Sequence, residues 1–258
     1  MELEVRQERL LPAYLASFED LIGDARTRVT FGEIVKGIIG AGSLICQQIA
    51  GSSVVLSEAK DGARRVRRMV KGKSTKRSEI NATTVMAALC GRGITHLCEG
   101  DEEELWLIAD MSELRKPNAQ EMPDMMEVLA LDGGLVTGYR TLNVLGVVPS
   151  RRGVLYHRLF SSKEEGFLSE SLEIQTALQT VTQALRKRKR HPSVTWITDT
   201  GFDDVAVWRT IWEQEQHVLC RVKHKERLVQ HEDEQGRWVK GDIQSARQRL
   251  QLLATART

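Results

Sequence analysis

The chain has 258 residues, 41% hydrophobic and 28% charged, with 37 Lys and Arg against 35 Asp and Glu. These are the proportions of an ordinary globular protein, long enough for one large core or two smaller ones. They exclude a disordered or fibrous chain, and no apolar run approaches the roughly 20 residues needed to cross a bilayer.

The first part of the chain, to about residue 98, reads as helical. Leu10, Leu11, Tyr14, Leu15 and Phe18 recur at helical spacing. Phe31–Ile39 and Ser43–Ala50 read as two short apolar helices broken by Gly40-Ala-Gly42. A third helix, about Ser57 to Val70, carries a very basic face. A fourth starts at Asn81, a candidate N-cap, and is expected to stop near Gly91. The acidic stretch Glu99–Glu104 reads as a junction, after which strands take over. They are predicted at Leu105–Ala109, Leu135–Val148 and Gly153–Phe160, with polar turns at Asp132-Gly-Gly134 and Pro149-Ser-Arg-Arg-Gly153. Ile174, Leu178, Val181 and Leu185 then form one helical stripe. A strand Val194–Thr198, a helix from about Asp203 and a strand His217–Val222 follow. From Glu226 onward the chain is polar, with a final helix predicted over Ile243–Leu253.

Net charge is only +2, so bulk charge does not announce a nucleic-acid binder. Its distribution is more telling. Residues 64–77 hold Arg64, Arg65, Arg67, Arg68, Lys71, Lys73, Lys76 and Arg77; residues 186–190 read Arg-Lys-Arg-Lys-Arg; Arg221, Lys223, Lys225 and Arg227 follow later. Clustered cations can serve phosphate contacts in a near-neutral protein, although such runs are commonly solvated faces or helix ends. Met1-Glu-Leu-Glu-Val-Arg is too charged for a secretory signal. Cys46, Cys90, Cys98 and Cys220 show no CxxC spacing, which favours reduced, buried thiols in a cytoplasm over a zinc site or disulfides.

Two aspartates stand out. Asp110 ends the apolar run Leu105-Trp-Leu-Ile-Ala-Asp110, and Asp199 ends Val194-Thr-Trp-Ile-Thr-Asp199. Two strands that deliver carboxylates at the same end suggest a divalent-metal site, because hard cations such as Mg²⁺ take oxygen ligands. A meander of three strands followed by helix, strand, helix and strand is the order of a ribonuclease-H-like α/β domain. In that fold the first and fourth strands are neighbours, so Asp110 and Asp199 would meet. Asp203 and Asp204 read as first-turn helix stabilisers, Trp106 and Trp196 as core residues, and His157, His191 and His224 as residues without ligand spacing.

On these residues the chain resembles bacterial DDE transposases of the cut-and-paste insertion-sequence kind, the IS-four family. Trp106-Leu-Ile-Ala-Asp110-Met-Ser matches the first-aspartate strand. Trp196-Ile-Thr-Asp199-Thr-Gly-Phe-Asp203 matches the second, and Leu219-Cys-Arg221-Val-Lys223-His224 matches the basic strand after it. The resemblance implies a helical DNA-end-binding domain over 1–98, with Arg64, Arg65, Arg67 and Arg68 on DNA. It implies a ribonuclease-H-like catalytic core over 99–225 and the start of an insertion over 226–258. It further implies that Asp110 and Asp199 bind two Mg²⁺ or Mn²⁺ ions and that Arg221 and Lys223 contact the DNA backbone. The substrate would be duplex DNA at terminal inverted repeats, cut and joined by a homodimer at the nucleoid of a bacterial cytoplasm.

The family's third carboxylate is a Glu within Tyr-x2-Arg-x3-Glu-x6-Lys. The last Tyr here is Tyr156, before Asp199, so no complete signature follows. The expectation is a chain that stops early and is catalytically crippled. The alternative is a non-catalytic DNA-binding fragment able to inhibit an intact transposase. An unrelated ribonuclease-H-like nuclease would need Glu104, Glu113, Asp132 or Glu213 as its third acid.

Overall fold

The computed structural model describes residues 2–57, 61–70, 80–119, 122–188, 192–223, 228–232 and 235–242. Lys71, Lys73, Lys76 and Arg77, His191, His224 and the helix predicted over Ile243–Leu253 lie outside the described residues. The chain divides into two compact units, Met1–Leu89 and Cys90–Thr258.

The first unit contains α1 (Glu2–Glu19), α2 (Ala25–Ala41), α3 (Cys46–Gly51), α4 (Val54–Ser57) and α5 (Gly62–Val70), together with the first half of α6 (Ala82–Leu97). Asp24 caps α2 by accepting from Thr27 N at 2.8 Å, and Gly42 closes it in the left-handed region. Ile34, Ile49, Ala50, Leu56 and Val66 form a small core. Asn81 caps α6 as expected, its Oδ1 accepting from Thr84 N. The helix does not stop at Gly91. It runs on to Leu97, because Gly93 is needed inside it: a Cβ there would sit 2.7 Å from Leu155 Cδ2 and from Val154 O.

The second unit is built on a mixed sheet. Its strands are β1 (Glu104–Arg115), β2 (Met126–Leu129), β3 (Leu135–Val148), β4 (Arg151–Phe160), β5 (Ser193–Thr198) and β6 (His217–Cys220). β3 pairs antiparallel with β1 and β4, and also with the short β2; β5 pairs parallel with β1, and β6 parallel with β5. The order β4-β3-β1-β5-β6 with these directions is the ribonuclease-H-like arrangement expected from the sequence. α7 (Glu170–Arg186) and α8 (Val205–Trp212) complete it. A separate hairpin, β7 (Leu228–Glu232) and β8 (Trp238–Asp242), lies within 226–258, the stretch read as polar and as the start of an insertion.

Strand alternation decides which face carries the core. Leu105, Leu107 and Ala109, with Leu142, Val144 and Val148, and Val194 and Trp196, point to the side packed by Ile174, Leu178, Val181 and Leu185 of α7. Cys90, on the α6 segment that joins this core, has its thiol pushed up by burial, against the pull of Lys187. Trp196 is fully buried, and its Nε1 donates to Gln216 Oε1 at 2.7 Å. Trp106, read as core, is instead 45% exposed. The reason is parity: Trp106 lies an even number of residues before Asp110 and shares its face, whereas Trp196 lies an odd number before Asp199 and takes the opposite one.

Candidate metal and nucleic-acid site

β1 and β5 run in parallel register from Glu104↔Ser193 to Ala109↔Thr198. The next step along both strands brings Asp110 beside Asp199, on neighbouring strands about 4.8 Å apart. Asp110 follows the exposed members of β1, opposite to the core. Asp199 follows directly on β5 and begins the 3₁₀ turn Thr200–Phe202. The structure therefore brings together the two aspartates singled out in the sequence. It also corrects one detail: Asp110 does not end its strand, since β1 continues to Arg115.

Each carboxylate has one oxygen engaged locally. Asp110 Oδ2 accepts from Ser112 Oγ at 2.8 Å, and Asp199 Oδ1 accepts from Gly201 N at 2.9 Å. Among the described residues the second oxygen of each accepts no hydrogen bond and is available to another ligand. A divalent cation is a ligand that two neighbouring carboxylates can share. The donors are hard anionic oxygens at an exposed position, which fits Mg²⁺ or Mn²⁺ bound with water and substrate oxygens.

Among the described residues no third acid joins the pair. Glu104 shares the strand and face of Asp110 but lies roughly 20 Å along it. Glu113 has the opposite parity and pairs with Arg115 at 3.2 Å. Asp132 accepts from Gly134 N in the turn before β3, and Glu213 caps the end of α8. None of the four candidates completes the site.

The flanking acids are structural. Asp204 caps α8, accepting from Ala206 N and from Ser171 Oγ, each at 2.8 Å. Asp203 precedes that cap and accepts from Lys223 N at 2.7 Å. β6 ends at Cys220, short of the predicted Val222, so Arg221 and Lys223 lie beyond the strand. Both are exposed on the segment that follows, where Arg221 N donates to Thr198 O at 3.2 Å. Arg221 is thus held at the level of Asp199.

In the first unit, α5 buries Val66 completely and packs Ala63 and Met69 against the small core. Arg64, Arg67 and Arg68 are left exposed and Arg65 half-buried. Val66 is the pivot of this pattern, fixing which face of the helix carries the guanidinium groups. Arg186, in the last turn of α7, has a local reason for its place, a cation at a helix C-terminus.

Sequence reasoning missed the polar neighbours of Asp110. Asn143 stands opposite it on β3, and His157 stands opposite Asn143 on β4. His157 Nδ1 and Asn143 Oδ1 are 2.7 Å apart. Only the strand register reveals this row, because the three residues are far apart in the chain.

No family model and no curated protein matches the chain. Among solved structures it is similar to the catalytic domain of Mos1 mariner transposase, at 15% identity and a TM-score of 0.29, over 57% of this chain and 65% of that one. The Mos1 mariner paired-end complex with Mn is matched at 17% identity and a TM-score of 0.29, over 75% and 59%. The piggyBac transposase synaptic complex with hairpin DNA is matched at 9% identity and a TM-score of 0.40, over 81% and 51%. The chain thus spans about half to two thirds of the length of these solved chains. At such identities and TM-scores the superpositions leave the function of this chain to be argued from its own residues.

Proposed function

We propose that this chain is a transposase-type DNA-end-binding protein of the insertion-sequence kind, with a two-aspartate metal site for phosphoryl transfer on DNA. The observation that carries the reading is the β1–β5 register, which sets Asp110 beside Asp199 at the centre of a ribonuclease-H-like sheet. Asp110 and Asp199 would hold the metal; when bound, Mg²⁺ or Mn²⁺ supplies Lewis-acid stabilisation of charge on a phosphate and its leaving oxygen. Arg221, exposed at the level of Asp199, and Lys223, exposed beside Asp203, serve the phosphate backbone. Arg64, Arg65, Arg67 and Arg68 on α5 serve the terminal repeat, within a DNA-binding domain over 1–98. The working form is a homodimer at the bacterial nucleoid.

A second reading is favoured by one observation, the absence of a third ligand among the described residues. On that reading the chain binds transposon ends without cutting them. One experiment addresses both. Duplexes are selected from a random pool for binding to the full chain, and the recovered sequence is then incubated with Mn²⁺. Retention of a preferred duplex, weakened several-fold by R64A/R67A/R68A, supports DNA-end binding. Nicking that vanishes in D110N and D199N selects the catalytic reading, and binding without nicking selects the second. Failure to retain any duplex overturns both.

A further inference from the structure

The solvent-facing side of the sheet is divided. Trp106, Ile108 and Val154 make one part apolar, at 45%, 37% and 42% exposure. One step along the same strands lie polar residues, Asp110, Ser112, Thr141, Asn143 and His157, with exposed Leu159 at their border beside Thr141. Within this polar part the hydrogen bonds form one directed chain. Thr141 Oγ1 donates to the Ser112 carbonyl at 3.2 Å, so toward Asn143 it can only accept. Asn143 Nδ2 donates to it at 3.3 Å. That fixes the amide with Oδ1 toward His157, and an amide oxygen only accepts, so the proton sits on His157 Nδ1. Nε2 is thereby the open nitrogen of an exposed ring, pinned in one orientation by a backbone carbonyl two side chains away.

Nothing in the core needs this arrangement. His157 is exposed and faces away from the residues packed by α7. Its place is two strands from Asp110, in the same lateral row, at about 10 Å by the strand spacing. That separation is too long for the ring to touch a phosphate held at Asp110 and Asp199, and suits another phosphate of the same bound strand.

We propose that His157 is a DNA-contacting residue, presenting Nε2 to a backbone phosphate beside the one at the carboxylates, and that Asn143 is the residue that positions it. This rests on the DNA-binding reading above. In that contact the imidazolium form donates a charge-assisted hydrogen bond from Nε2 to a phosphate oxygen. The contact carries no sequence information; it sets where the strand lies on the sheet.

The test is equilibrium binding of the full chain to a fluorescein-labelled duplex, followed by anisotropy over a range of KCl concentrations, with the melting temperature of each variant recorded. H157A is expected to weaken binding about tenfold, the size of one charge-assisted hydrogen bond. It should also lower the slope of log affinity against log salt by about 0.9, the value of one phosphate contact. N143A should weaken binding less, and H157K should restore the slope, since a lysine replaces the cation but not the hydrogen bond to Asn143. A salt slope unchanged in H157A overturns the proposal and leaves the DNA-binding reading standing. If H157A is too unstable to measure, H157K decides: wild-type slope supports a phosphate contact, and a lowered slope overturns it. A wild-type chain that binds no duplex overturns this proposal and the reading beneath it together.

Discussion

Single side chains divide here into those that hold the fold and those the fold holds up for use. The two tryptophans make the contrast. Trp196 is fully buried with its indole N–H bonded, so Trp196→Ala should cost about 3–5 kcal/mol in chemical denaturation. Trp106, 45% exposed, should cost within about 0.5 kcal/mol on the same change. Equal losses would show that the outward face is covered in solution. Glu33 offers a pH test. Burial pushes its carboxyl up, but Ser53 Oγ at 2.6 Å and Lys36 Nζ at 2.9 Å outweigh it, and the net shift is downward. A carboxyl held lower in the folded state than in the unfolded one adds stability above its unfolded value and loses it as pH falls through the folded one. Melting temperature should therefore fall with acidification below about 4.5, and Glu33→Gln should flatten that fall.

Among the elements, α6 shows how local rules yield to packing. Gly91 reads as a stop, yet the helix runs through it, and Gly93 two residues on, having no Cβ, lets the helix lie against β4 backbone to backbone. Gly153 answers from the strand, where a Cβ would lie 3.2 Å from Gly93 Cα. Gly93→Ala should cost about 1–3 kcal/mol, read as a lowered melting temperature, despite alanine being the better helix former. The strands were legible where apolar residues ran together, as in β3 and β5. The short β2 and the β7–β8 hairpin were not, because four or five residues are too few to show a period and their pairing is not written in the sequence. The site was half legible for the same reason. Asp110 and Asp199 announce themselves by ending apolar runs, but Asn143 and His157 acquire meaning only when β3 and β4 are laid beside β1. Arg221 and Lys223 mislead by alternating like a strand where the strand has ended.

For the whole molecule, the proposed metal site puts two adjacent carboxylates on a central pair of strands, where a bound cation would add to stability. Mn²⁺ at a hundred times its dissociation constant should stabilise the full chain by about 2.7 kcal/mol. D110N should abolish that gain; a chain indifferent to Mn²⁺ would remove the metal site from the account. The two carboxylates are not equally mounted. β1 runs past Asp110 and stays paired on to Arg115, whereas β5 stops at Thr198 and hands Asp199 to a short turn. One carboxylate is therefore mounted stiffly and the other compliantly. Hydrogen exchange should be slow in β1 around Asp110 and fast at Thr200 and Gly201. When an ion of larger radius replaces a smaller one, the difference should be taken up on the Asp199 side, with the Asp110 side serving as the fixed reference from which the site is measured.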